Sequence, residues 1–152
     1  KDASLGEQLV WLSNTTGPTL SPFDCWLFIR SLKTLSLRLD RQEANAQALA
    51  QALSQHSQIK EVLYPGRGAM MSIKIQDASK VDSFLRALKV FTFAESLGGV
   101  ESFITYPTTQ THADIPQDIR ESYGLTADLL RVSVGIEDPQ DLIADIIQAL
   151  NA

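Results

Sequence analysis

The sequence predicts an α/β (α+β) fold in which helices cover a small sheet. Three observations carry that expectation. Apolar residues recur at helical spacing as far as about His56, alternating apolar residues then mark short strands, and amphipathic helices interleave with those strands.

The elements follow in order. Leu5, Leu9 and Leu12, with Val10 and Trp11 adding bulk, describe a first helix, and "NTTGPTLSP" a loop. Ser21-Pro22-Phe23-Asp24 is a strong start for the next helix: serine caps, proline suits the first turn, and Asp24 faces the positive helix end. From there to His56 no Gly or Pro occurs, and "ANAQALAQALSQ" has high helix propensity. A run this far beyond the ~11–12 residues of an average helix is either a long connector or a bent pair, with Ser31 marking the place to break. "IKEVLYPG" reads as a strand ended by Pro-Gly, and "GAMMSIKI" as another, with Met71, Ile73 and Ile75 alternating. "DASKVDSFLRAL" sets Val81, Phe84, Leu85 and Leu88 on one helical stripe. "KVFTFA" and "ESFITYP" are strands on either side of Gly98-Gly99. "DIPQDIRESYG" is a short helix bounded by proline and glycine, and "DLLRVSVGI" is the clearest strand. Asp138-Pro139 opens a last helix whose Leu142, Ile143, Ile146, Ile147 and Leu150 face inward.

Composition bounds the function. The 152 residues suit one domain able to bury a core, with 44% apolar and 20% charged residues. A net charge of −5 without any local cluster of Lys and Arg argues against nucleic acid as a partner. No apolar run reaches the ~18 residues of a membrane span, and "KDASLGEQLVW" lacks the features of a signal peptide. One cysteine, Cys25, fits a reducing compartment, so a cytoplasmic location is expected. His56 and His112 stand far apart without cysteines, which makes a metal site unexpected.

Arg131 is the sharpest candidate for chemistry. Leu130, Val132 and Val134 share one face of its strand, and Leu129, Arg131 and Ser133 the other. A guanidinium at mid-strand needs a partner, because burying a lone charge is costly. Its planar fork suits a carboxylate, either an internal acid or a ligand's. The Gly98-Gly99 hinge in "ESLGGVESF" has neither the spacing of a dinucleotide loop nor a following Lys-Ser or Lys-Thr. It reads as a turn, or as close backbone approach to a ligand with Ser96 or Ser102 supplying a hydroxyl. His112 lies in a polar loop with no evident partner for acid–base work. Cys25 beside Trp26 reads as a packed thiol, Met70-Met71 as core, and the acidic "GIEDPQD" as the cap of the last helix.

Taken together, several stretches are more specific than any one. "GPTLSPFDCWLFIRSLKTLSLRLDRQEANAQALAQAL" resembles the segment that follows the cofactor lysine in the trans-sulfuration (Cys/Met metabolism) enzymes, which depend on pyridoxal 5'-phosphate. "ESLGGVESFITYP" with "THADIP" is similar to that family's substrate-side loop, and "GLTADLLRVSVGIEDPQDLIADIIQAL" to its carboxyl-terminal signature. The resemblance runs in order from about Asn14 to Leu150 and is nearest to cystathionine γ-synthase and γ-lyase.

The resemblance implies the small carboxyl-terminal domain of a fold-type-I enzyme: a mainly antiparallel sheet covered by helices and preceded by a long connecting helix. Residues 1–57 would form the helical link to a missing cofactor-binding domain, and residues 58–152 the small domain. It further implies that Arg131 binds the substrate's α-carboxylate, that Ser96 orients lysine and substrate, and that Thr111 lies near the carboxylate. Glu95 matches a variable position where glutamate is similar to the γ-acting members. Homotetramers of the full-length protein are implied as well.

Departures set limits. Ser31 stands where the family usually has glycine, and only Arg67 separates Tyr64-Pro65-Gly66 from "GAMMS", where the family inserts a longer segment. Lys1 is not the cofactor lysine, since "DASLGEQL" belongs to the helix that follows that site by some distance. No catalytic residue is therefore expected in this chain, which would be incomplete alone, binding no cofactor and turning over no substrate. The alternative is a free-standing amino-acid-binding or interaction module that kept the fold without catalysis.

Overall fold

The computed structural model describes residues 3–152. Lys1, excluded above as the cofactor lysine, lies outside the described residues. The chain divides into two compact units between Ser36 and Leu37.

In the first unit, α1 spans Ala3–Thr16 and α2 spans Pro22–Leu32. Ser21 caps α2 as expected. Its Oγ accepts the Asp24 N–H at 3.1 Å while its hydroxyl donates to Asp24 Oδ2 at 2.8 Å. The expected long run is two helices, broken at Lys33–Thr34, just past Ser31. There the N–H groups of Lys33 and Thr34 reach back only three residues, to the Arg30 and Ser31 carbonyls at 3.3 Å each. The last turn tightens, and α3 restarts over Leu35–Leu53 without needing Gly or Pro. Neither α1 nor α2 buries a residue, and Trp11, Phe23 and Phe28 stay 62–66% exposed. Cys25 is exposed too, contrary to the packed thiol expected, because no element within this unit covers its helix face.

The second unit carries the core. α3 turns Gln42, Asn45, Ala46, Leu49 and Leu53 inward, the spacing of a helix with one buried stripe. After it come β1 (Ile59–Leu63), β2 (Met70–Ile75), α4 (Val81–Ala87), β3 (Thr92–Phe93), β4 (Phe103–Thr105), α5 (Gln117–Ser122), β5 (Leu129–Ser133) and α6 (Pro139–Leu150). The strands form one sheet in the order β1-β2-β5-β4-β3, antiparallel except for the β3–β4 pair. Met71, Ile73, Ile75, Leu130, Val132 and Val134 form a single core with the inner faces of α3, α4 and α6. The fold is thus the mixed α/β arrangement expected, with a mainly antiparallel sheet.

The strand read over "KVFTFA" is only two residues long. Asp145, buried on α6, accepts the N–H groups of Lys89 and Val90 at 2.8 Å and of Phe91 at 2.9 Å. Those amides are committed to a carboxylate, so the ladder begins at Thr92.

Candidate functional site

Arg131 occupies the middle strand of the sheet, opposite Ser72 on β2 and Thr105 on β4. Alternation sends Leu130 and Val132 into the core and leaves Arg131 half-buried on the other face. Its Nη2 donates to Thr105 Oγ1 at 2.9 Å and to the Ser96 carbonyl at 3.3 Å. The Thr105 hydroxyl in turn donates to the Ala94 carbonyl at 2.8 Å, which leaves a lone pair aimed at the arginine. The Arg131 Nε is buried with no hydrogen-bond partner. Among the described residues the ion pairs are Lys60–Asp128, Lys74–Glu61 and Arg86–Asp82, and none takes Arg131. Of the two readings of this arginine, the internal ion pair is therefore not realised here. What remains is a positioned guanidinium, held by two neutral oxygens, with donors left for an anion.

The loop that supplies the Ser96 carbonyl is fastened along its length. Gly98 adopts φ +75°, a conformation that glycine takes without strain, and its N–H donates to Ser133 Oγ at 3.0 Å. The Gly99 carbonyl accepts from Gln42 Nε2 at 2.6 Å, and the Val100 carbonyl from the Ile136 N–H at 2.9 Å. The hinge is therefore no phosphate cradle, its amide being already engaged. Ser96 is half-buried and Glu95 exposed, and neither side chain has a hydrogen bond among the described residues.

Ser102 is another matter. It is fully buried, its N–H donates to Glu137 Oε1 at 2.7 Å, and its hydroxyl donates to Glu137 Oε2 at 2.9 Å. The same oxygen accepts the Gly135 N–H at 2.8 Å. The sequence left open that Ser102 offers a hydroxyl to a ligand; the structure corrects this, because that hydroxyl is saturated internally. Asp138 does cap α6, accepting the Gln140 N–H at 2.8 Å, but Glu137 beside it serves the loop instead. Thr105, Ser133, Gln42 and Glu137 were not legible as site residues. For Thr105 only the β4–β5 register, which no local pattern specifies, would have found it.

Thr111 lies on a separate loop. It is exposed, its Oγ1 shares a hydrogen bond with His112 Nδ1 at 2.7 Å, and no hydrogen bond links it to Arg131. Arg120 on α5 holds this loop, donating through Nη1 to the Thr108 carbonyl at 2.7 Å and the His112 carbonyl at 3.4 Å.

At the start of β5, Asp128 is buried and ion-paired to Lys60 at 2.8 Å, and it also accepts from the Thr126 hydroxyl. Burial pushes its carboxyl up, but the hydrogen bonds from Lys60 and Thr126 and the Lys60 charge together outweigh burial and hold it below the ordinary 3.8. No group of metal-ligating side chains occurs among the described residues, and none of their helices is long and apolar enough to cross a membrane.

Known proteins resemble this chain along nearly its whole length. The family model for "Cys/Met metabolism PLP-dependent enzyme" matches residues 1–151. Cystathionine γ-synthase of Haemophilus influenzae is 53% identical over 149 residues, covering 98% of this chain and 40% of that protein. The cystathionine γ-synthase/O-acetylhomoserine (thiol)-lyase of Bacillus subtilis is 55% identical over 150 residues, covering 99% of this chain and 40% of that protein. The crystal structure of cystathionine γ-synthase from Xanthomonas oryzae pv. oryzae, in complex with aminoacrylate and cysteine, aligns with a TM-score of 0.87 at 40% identity. That alignment covers 99% of this chain and 43% of the other. The chain thus spans about 40% of the length of the curated relatives it matches. It belongs to the Cys/Met metabolism family of pyridoxal-phosphate-dependent enzymes.

Proposed function

We propose that this chain is the carboxyl-terminal part of a trans-sulfuration enzyme of the cystathionine γ-synthase/γ-lyase type, and that Arg131 grips the α-carboxylate of its amino-acid substrate. The observation that carries the reading is Arg131 itself: a half-buried guanidinium oriented by Thr105 and Ser96, with Nε unpartnered and no internal carboxylate. With both Nη2 hydrogens spent on Thr105 and Ser96 and Nε buried, Nη1 is the donor left to meet a carboxylate, and its fixed direction adds to the neutralisation of charge. Ser96 would offer its free hydroxyl beside the substrate, Thr111 a second hydroxyl, and Glu95 a charge that separates γ- from β-acting members.

Pyridoxal phosphate supplies, when bound, the electron sink for cleaving bonds of the amino acid. The described residues do not fit the cofactor's own pocket. The sheet lysines Lys60 and Lys74 are ion-paired to Asp128 and Glu61, and the Gly98 amide that could meet a phosphate is taken by Ser133. The cofactor would therefore be held by the rest of the full-length protein, and the isolated chain would be inactive. Measured turnover by the isolated chain would refute that. The exposed apolar side chains of α1 and α2 would pack against the remainder of a homotetramer, so the isolated chain should self-associate, which sedimentation would detect.

The direct test is Arg131→Ala in the full-length protein. Losing the charge-assisted pair should raise KM for the amino acid by the equivalent of about 2–4 kcal/mol, roughly 30- to 1,000-fold. An unchanged KM removes Arg131 from the site.

A further inference from the structure

The loop that orients Arg131 is itself held by an acid outside the expected site. Glu137 uses both carboxylate oxygens on Ser102, one for the N–H at 2.7 Å and one for the hydroxyl at 2.9 Å. Because the Ser102 hydroxyl gives its proton to Glu137, its lone pairs are free for the Gly135 N–H at 2.8 Å. The Glu137 backbone is anchored in turn: its carbonyl accepts from Asn45 Nδ2 at 2.8 Å, and the same amide donates to the Gly135 carbonyl at 3.1 Å. Asn45 and Ser102 are buried and Glu137 is half-buried, so the clip is partly shielded from competing water. There is also no slack. A Cβ on Gly135 would overlap Glu137 Oε2 and the Val100 carbonyl oxygen.

We propose that Glu137 is a positioning residue for the carboxylate site. Clipped to Ser102, it sets the end of the loop that begins at Ser96, and so sets the carbonyl that holds Arg131 Nη2. The role rests on the reading of Arg131 given above, and it deepens that reading by naming the group that controls the arginine's orientation. A neutral amide of the same shape breaks the clip selectively. In Glu137→Gln one oxygen still meets the Ser102 N–H, but the NH2 meets a hydroxyl that must now accept from two donors and lose the acceptor for its own proton.

The test compares Glu137→Gln, Ser102→Ala and their double variant with Arg131→Ala, all in the full-length holoenzyme. Disorienting the anchor should raise KM for the amino acid about fivefold to tenfold in Glu137→Gln, with kcat within about twofold. The double variant should be no worse than the more impaired single one, since both remove the same clip. A residue that merely supported folding would lower the active fraction, and hence kcat, at constant KM. An unchanged KM in Glu137→Gln while Arg131→Ala raises it overturns the proposal and leaves the carboxylate anchor standing. Hydrogen exchange at the amides of residues 98–102 reads the clip independently of catalysis. Faster exchange in Glu137→Gln is expected, and unchanged exchange overturns the proposal whatever Arg131 does.

Discussion

Two loops carry the residues expected to meet substrate, and the tertiary structure treats them differently. Residues 95–102 are tied to the core by Gln42, Ser133, Ile136 and Glu137, and they pass that order to Arg131 through the Ser96 carbonyl. Residues 106–115 are tied to α5 through Arg120 and expose Thr111 without any hydrogen bond to the arginine. The first loop is fastened to α3, to β5 and to the segment that follows β5. The second presents a hydroxyl from a platform of its own, so substitutions in the two should differ in size.

The largest effect beyond Arg131 itself is expected at Gly135. With Glu137 and the Val100 carbonyl where a Cβ would lie, Gly135→Ala should force the first loop off its seat. Overpacking of this kind costs about 1–3 kcal/mol, visible as a lower melting temperature of the full-length protein. A variant that melts like the wild type would show that the loop has room the geometry denies.

Thr105→Val comes next. It keeps the shape but removes the acceptor of Arg131 Nη2 and the donor to Ala94. A loss of about 1 kcal/mol, near a fivefold rise in KM, should follow, with Thr105→Ser recovering most of it. If serine fails where threonine succeeds, packing rather than the hydroxyl orients the arginine.

On the second loop, Thr111→Val should raise KM only about twofold to threefold, as fits one exposed hydroxyl. An effect as large as that of Thr105→Val would erase the contrast between the loops. Glu95→Gln should be smaller still in KM, altering instead the ratio of kcat/KM between substrates cleaved at the γ- and β-carbons. An identical ratio would remove Glu95 from specificity.

Acid stability probes the far end of β5. Asp128 titrates below the ordinary 3.8 in the folded chain, so its contribution is present above that value and is lost as pH falls through the lower, folded one. Asp128→Asn should therefore flatten the acid limb of stability below 3.8 while leaving KM unchanged. A shift in KM would mean that the Lys60 pair reaches the carboxylate site.

Much of this was legible locally. The caps at Ser21 and Asp138, the buried alternation of β2 and β5, and the stripes of α4 and α6 arise from interactions between residues a few positions apart, so periodicity alone encodes them. Arg131 stood out for the same reason: a charge amid alternating apolar residues is visible in one strand. The truncation of β3 by Asp145 was not visible, since it depends on a carboxylate more than fifty residues away, whereas the break at Lys33–Thr34 falls just past Ser31, where the sequence marked it. The sequence by itself determined which elements form and which residue carries the unmatched positive charge. Only the tertiary structure decided who holds that charge. Strand register put Thr105 opposite Arg131, and long-range hydrogen bonds through Ser102 and Glu137 turned a glycine-rich hinge into a seated loop, pairings that chain separation hides from any local pattern.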